Sequence, residues 1–251
     1  MSGYLDQQKA NKALDLERQL MKKALARLGP AESKRAGMQS AARLIFGLDL
    51  TASREASLNQ ARIATAAMFD AIKEIGKLAV KLVFYRGADE CRQSKWYDDA
   101  TILCRSMLKL ACETGETQIA RLLRMVLVET EQISAVVFIG DHSEDDGDEL
   151  RTLAQMLGQR SIPLFIFHEC ADSDQCSLNA KPIFKSMAEL SGGVYVEFRK
   201  DSSAALREML ANVAAYSTAG IEGIGRLALP ETSEARQLRG RLMLGSGGVK
   251  G

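Results

Sequence analysis

The stretch LIFGLDLTASREAS starts at Leu44 as a strongly apolar run and closes on Asp49, Thr51 and Ser53. One carboxylate and two hydroxyls at alternate positions along a strand end and its turn can aim their oxygens at one point. A second piece, GETQIARLL from Gly115 to Leu123, has a turn glycine and then Thr117 where a helix should open. A third, VFIGD, finishes an apolar segment on Asp141. Two carboxylates, three hydroxyls and water form an all-oxygen set, which hard divalent cations prefer. Magnesium takes such ligands octahedrally at about 2.0–2.1 Å while keeping several waters. Mg2+ or Mn2+ is therefore the expected ion, with Asp49, Thr51, Ser53, Thr117 and Asp141 as candidate metal ligands. Taken singly, Ser53 and Thr117 read equally well as helix N-caps. Asp141 is harder to dismiss, because a buried carboxylate without a partner is costly.

These residues meet only if the segments carrying them lie side by side. From residue 42 the chain alternates between apolar strands and amphipathic helices. RLIFGLDL, LAVKLVFYRG, ISAVVFIGD, IPLFIFHE and VYVEF read as strands, and polar ECRQSKWY as an edge strand. SLNQARIATAAMFDAIKEIG, GDELRTLAQMLGQR, AKPIFKSMAELSGG and SAALREMLANVAAYS read as helices, with two more over roughly 99–112 and 117–130. Strands that are apolar throughout need cover on both faces. The expectation is an α/β fold, a doubly wound and mostly parallel sheet of about six strands with helices on both sides. Ligands in such sheets sit beyond the carboxyl ends of the strands, where the strand order reverses. Asp49 and Asp141 both end apolar strands, so both belong on that edge.

The domain proper is expected over 41–220. Before it, ALDLERQLMKKALARLGP places Leu16, Leu20, Met21, Ala24, Leu25 and Leu28 at helical spacing, and Gly29 and Pro30 stop the helix. Residues 1–40 thus read as a helical extension and linker. Residues 221–251, which end in glycine-rich LMLGSGGVKG, read as a flexible tail. A formal charge of +1 over 251 residues gives no electrostatic reason for nucleic acid or an anionic membrane as partner. The start of the chain lacks the apolar core of a secretory signal, and the five cysteines form no recognisable framework. A cytoplasmic location is the expectation.

With these pieces in this order, the chain resembles the von Willebrand factor A domain family, of the bacterial intracellular type. That family's metal-ion-dependent adhesion site is an Asp-x-Ser/Thr-x-Ser loop, a Thr on a later loop and an Asp after the fourth strand. The resemblance spans roughly 42–217. It gives Asp49, Thr51 and Ser53 the first loop, Thr117 the remote threonine and Asp141 the last ligand. His142 stands where a glycine commonly follows. It implies a non-enzymatic interaction module that holds Mg2+ or Mn2+ and takes a partner's Asp or Glu, in an assembly with an ATPase or chaperone.

A rival reading starts from Gly140, Asp141 and Asp145, the Gly-Asp-x-x-x-Asp spacing of haloacid-dehalogenase-like phosphatases, with Asp49 as nucleophile. Those enzymes commonly place a second Asp two residues after the nucleophile, and here Thr51 stands there. The acidic loop GDHSEDDGDEL reads as a solvated helix start. His168, Cys170 and Cys176 in HECADSDQC match no common zinc spacing and read as a surface loop.

Overall fold

The computed structural model describes residues 41–170, 175–199, 202–227 and 232–245. The expected helix over residues 10–28 lies outside them. Six strands form one sheet: β1 (Ala42–Asp49), β2 (Leu78–Arg86), β3 (Glu90–Tyr97), β4 (Ala135–Gly140), β5 (Leu164–Cys170) and β6 (Tyr195–Arg199). The spatial order is β3-β2-β1-β4-β5-β6, parallel except for β3, which pairs antiparallel to β2 at the edge. The polarity of ECRQSKWY fits that edge place, since one side of the strand is left to water.

Alternate side chains of β1 enter two separate cores. Leu44, Phe46 and Leu48 pack with helices α1 (Glu55–Ala71), α6 (Ser203–Gly225) and α7 (Ser233–Gly245) on one face. Ile45 points to the other face, covered by α3 (Ile119–Leu127), α4 (Gly147–Gln159) and α5 (Gln175–Ser191). The short helix α2 (Ala100–Met107) joins the first layer, its N-terminus capped by Asp99, which accepts from the Ile102 amide at 2.9 Å. Burial on both faces is why β1 and β4 read as unbroken apolar runs.

The expected flexible tail from residue 221 needs correction. The α6 helix breaks at Ala219 and Gly220, and Gly220 takes φ +60°, a left-handed conformation that glycine adopts without strain. Helical structure then resumes to Gly225, and α7 folds back with Ala235, Leu238 and Leu242 buried in the first core. The apolar residues in RQLRGRLML are helically spaced; the glycines around them masked that signal.

Strand order reverses between β1 and β4, where β2 and β3 depart to one side and β5 and β6 to the other. Leu48 pairs with Ile139 across this junction, which brings the ends of β1 and β4 level. The crevice beyond a reversal of this kind is where open α/β sheets bind ligands.

Candidate metal centre

Asp49 is the last residue of β1 and only 3% exposed. Its Oδ1 accepts the Thr51 amide at 2.9 Å, and the Thr51 hydroxyl adds to that support. Its Oδ2 is buried without a hydrogen-bond partner. Burial raises the Asp49 carboxyl above the usual range; Arg54 and the Thr51 amide offset part of this, and Asp141 raises it further. Tyr85, the register partner of Asp49 on β2, is fully buried, and burial and then the Asp49 charge push its phenol well above the ordinary value. No completed hydrogen bond joins the Tyr85 hydroxyl to Asp49 Oδ2.

Thr51 is buried and forms an isolated parallel bridge with Glu113. The amide of Glu113 donates to the Leu50 carbonyl at 3.0 Å, so the segment leading to Thr117 is tied to the end of β1. Gly115 is required there. A Cβ on it would stand 2.0 Å from the carbonyl oxygen of Gly87. Ser53 lies in the short 3-10 turn Ala52–Arg54 between Thr51 and α1.

Asp141 follows β4 and is partly buried. Its Oδ1 lies 2.8 Å from His142 Nδ1. Burial acts to raise its carboxyl, but the His142 hydrogen bond and the Arg54 charge outweigh it and hold the group at about 2. His142 is raised in return, chiefly by that hydrogen bond. The Asp141 main chain is fixed from β5. His168 is fully buried and, kept neutral by burial, donates from Nε2 to the Asp141 carbonyl at 2.8 Å, while Nδ1 meets the Tyr195 hydroxyl at 2.7 Å. His168 is therefore a residue of the strand read from IPLFIFHE, and it positions the site from the end of β5.

Thr117 is on the same edge, but its oxygen is in use. It donates to Asp145 Oδ2 at 2.9 Å and accepts from the Glu144 amide at 2.7 Å. Asp145 also accepts the amides of Ile119 and Ala120, each at 3.0 Å, and so caps α3 from another loop. Asp146 likewise caps α4, accepting from Asp148 and Glu149. The acidic loop thus acts as a pair of helix caps.

Sequence reasoning missed Arg54 and Glu169. Arg54 is 2% exposed, with Nη1 2.9 Å from Glu169 Oε2 and 3.7 Å from Asp141 Oδ2. The contact with Glu169 has the distance of an ion pair without the alignment of a hydrogen bond, and Arg54 Nε has no acceptor. Burial works against its charge, but Glu169, Asp141 and Asp49, in that order, keep it protonated. One sequence signal existed: Arg54 is the N-cap of α1, where the helix dipole disfavours a cation unless carboxylates surround it.

The structure thus brings Asp49 and Asp141 near one buried guanidinium, with Thr51 hydrogen-bonded to Asp49 and Ser53 in the turn that follows, and pairs Thr117 with the neighbouring acidic loop. Among the described residues, no three His, Cys, Asp or Glu side chains gather as a metal-ligand group on their own. A magnesium-type site draws on hydroxyls and water as well. Three carboxylates, Asp49, Asp141 and Glu169, share the Arg54 guanidinium, with His142 against Asp141, and one buried carboxylate oxygen has no donor. That donor set fits a divalent cation.

No family model matches the sequence, and no curated protein is similar to it. Solved structures are similar in fold. A mutant of the PilB minor pilin from Streptococcus sanguinis superposes with a TM-score of 0.56 at 9% identity, covering 73% of this chain and 63% of that one. The vWF domain of the type V pili tip protein Mfa5 from Porphyromonas gingivalis gives 0.55 at 11% identity, covering 78% and 99%. Proximal thread matrix protein 1 from the mussel byssus, with a zinc-occupied MIDAS motif, gives 0.53 at 16% identity, covering 70% and 46%. The chain spans less than two thirds of the pilin and byssus chains and nearly all of the Mfa5 domain. At these identities the likeness concerns the fold alone, an α/β fold that this chain shares with the vWF domain of Mfa5.

Proposed function

We propose that this chain is a protein-interaction module that uses Mg2+ or Mn2+ at the β1–β4 edge to bind a carboxylate of a partner protein. The observation that carries the reading is Asp49 Oδ2, a buried carboxylate oxygen with no hydrogen-bond donor, beside Asp141 at the reversal of strand order. Asp49, Thr51, Ser53 and Asp141 would hold the ion, and Thr117 would join by releasing Asp145. A bound ion would supply an electrophilic position with exchangeable water. A partner Asp or Glu replaces that water and gains strength once the contact is desolvated. An ATPase or chaperone assembly inside the cell is the partner class implied by the family resemblance. The chain's own part is to fix Asp49 through the Thr51 amide and Asp141 through His168.

The phosphatase reading is not favoured. Thr51 supports Asp49 where a second acid is wanted, and Asp145 already accepts three hydrogen bonds as the cap of α3. Capture of partners from a lysate in magnesium and in chelator, with the parent and with Asp49→Ala, tests the proposal. Capture that needs both the metal and Asp49 supports it. Equal capture in chelator, or hydrolysis of a phosphate ester that depends on Asp49, contradicts it.

A further inference from the structure

We infer that Arg54 is a built-in counter-cation of this edge, one that keeps its carboxylates folded together without metal and sets how tightly the edge takes a divalent ion. The second half of this inference rests on the metal-dependent docking proposed above; the first does not.

Three carboxylates from three strand ends, Asp49 closing β1, Asp141 after β4 and Glu169 near the end of β5, converge on one edge in or near low dielectric. Their mutual repulsion would splay the β1–β4–β5 edge unless something positive lay among them. Arg54 is that group. Its Nη1 touches Glu169 and Asp141, and its charge also acts on Asp49. The residue is placed by its own backbone: the Arg54 amide donates to the Thr51 carbonyl at 3.0 Å, so the loop that carries Asp49 and Thr51 carries the guanidinium too.

The ion pairs of Arg54 are unevenly distributed. Glu169 holds it at 2.9 Å, Asp141 stands off at 3.7 Å, and Asp49 makes no ion pair with it within 4.0 Å. The guanidinium thus neutralises the β5 side most and leaves Asp49 Oδ2 for another positive group. A fixed charge so close must also repel an incoming cation, which lowers the affinity relative to the same ligands without it. Arg54 is a positioning residue in this account: it acts through Glu169 and Asp141.

The test compares the full chain with Arg54→Met, Arg54→Lys and Arg54→Met combined with Glu169→Gln. In chelator, Arg54→Met should melt on the order of 10 °C below the parent, because it strands buried carboxylates. Adding Glu169→Gln should recover part of that loss. Titration with Mn2+ alone should show Arg54→Met binding at least about tenfold more tightly than the parent, with its melting point restored by the ion. Arg54→Lys keeps the charge and should stay within about threefold of the parent affinity. If Arg54→Met does not fold, the double variant carries the affinity comparison. An Arg54→Met protein that melts like the parent in chelator, or that binds Mn2+ no better, overturns the inference. Binding by the variant but not by the parent supports the inference while contradicting the docking reading; binding by neither contradicts the docking reading and the second half of the inference, and the melting points in chelator then decide the first half.

Discussion

The hydroxyl of Thr117 donates to Asp145 Oδ2 across 2.9 Å, joining the loop before α3 to the loop before α4. The same carboxylate caps α3, so one side chain holds both loops at the carboxyl edge of the sheet. Asp145→Ala should lower stability by about 1–2 kcal/mol through the lost cap, measured by chemical denaturation. Thr117→Val removes the hydroxyl from both roles. It should cost a similar amount of stability and weaken Mn2+ binding about tenfold. Unchanged Mn2+ affinity in Thr117→Val would remove Thr117 from the ligand set and leave it as a brace.

Asp49→Asn separates charge from shape. The amide oxygen can still accept from Thr51, while the unpartnered buried charge disappears. In chelator the variant should melt at or a few degrees above the parent, because burial outweighs the help Asp49 receives from Arg54. With Mn2+ present the order should reverse. A large loss of stability in chelator would show that the ionised carboxylate is already well paired in the absence of metal.

Gly115→Ala probes how the Thr117 loop reaches the edge. The new methyl would meet the backbone of Gly87, which has no flexible end to move aside. The expected cost is about 1–3 kcal/mol, and amide exchange should quicken in residues 112–118 first. Parent-like stability and exchange would mean that the two loops are not held together.

Away from the site, Lys81 is buried against Glu129 and lies 4.9 Å from the Trp96 ring centroid. Burial pushes the Glu129 carboxyl up, but Lys81 and the amides of Glu131 and Thr130 outweigh it and hold it below its usual value of 4.5. Its folded pKa is depressed, so its contribution is present above pH 4.5 and fades as pH falls through the folded value. At neutral pH, Glu129→Gln should cost about 3 kcal/mol by stranding the ammonium, while Lys81→Met with Glu129→Leu should lie close to the parent. Denaturant melts at pH 7 and pH 3 check both; a parent-like Glu129→Gln at pH 7 removes the pair as a stabilising contact.

Residues whose role depends on their own segment were legible in the sequence. Leu44 to Asp49 and Ala135 to Gly140 read as buried strands because both faces of each are covered, and polar Glu90–Tyr97 read as an edge. The placement of Asp49 and Asp141 at one end of the sheet followed from the same alternation. Arg54 was hidden because its meaning lies in Glu169, on a strand distant in sequence, and SREAS reads locally as an ordinary helix start. Thr117 looked like a ligand because a hydroxyl at a helix opening is equally suited to a metal and to a cap; only the neighbouring loop shows which acceptor it meets. The α7 helix was obscured by glycines that bracket a packed segment.

Calorimetric titration of Mn2+ into the full chain and into Asp49→Ala, with circular dichroism of both, tests the central claim most directly. The account predicts one site per parent chain, and loss of that site in Asp49→Ala while the dichroism stays native. Equal Mn2+ affinity in the parent and in natively folded Asp49→Ala would contradict it.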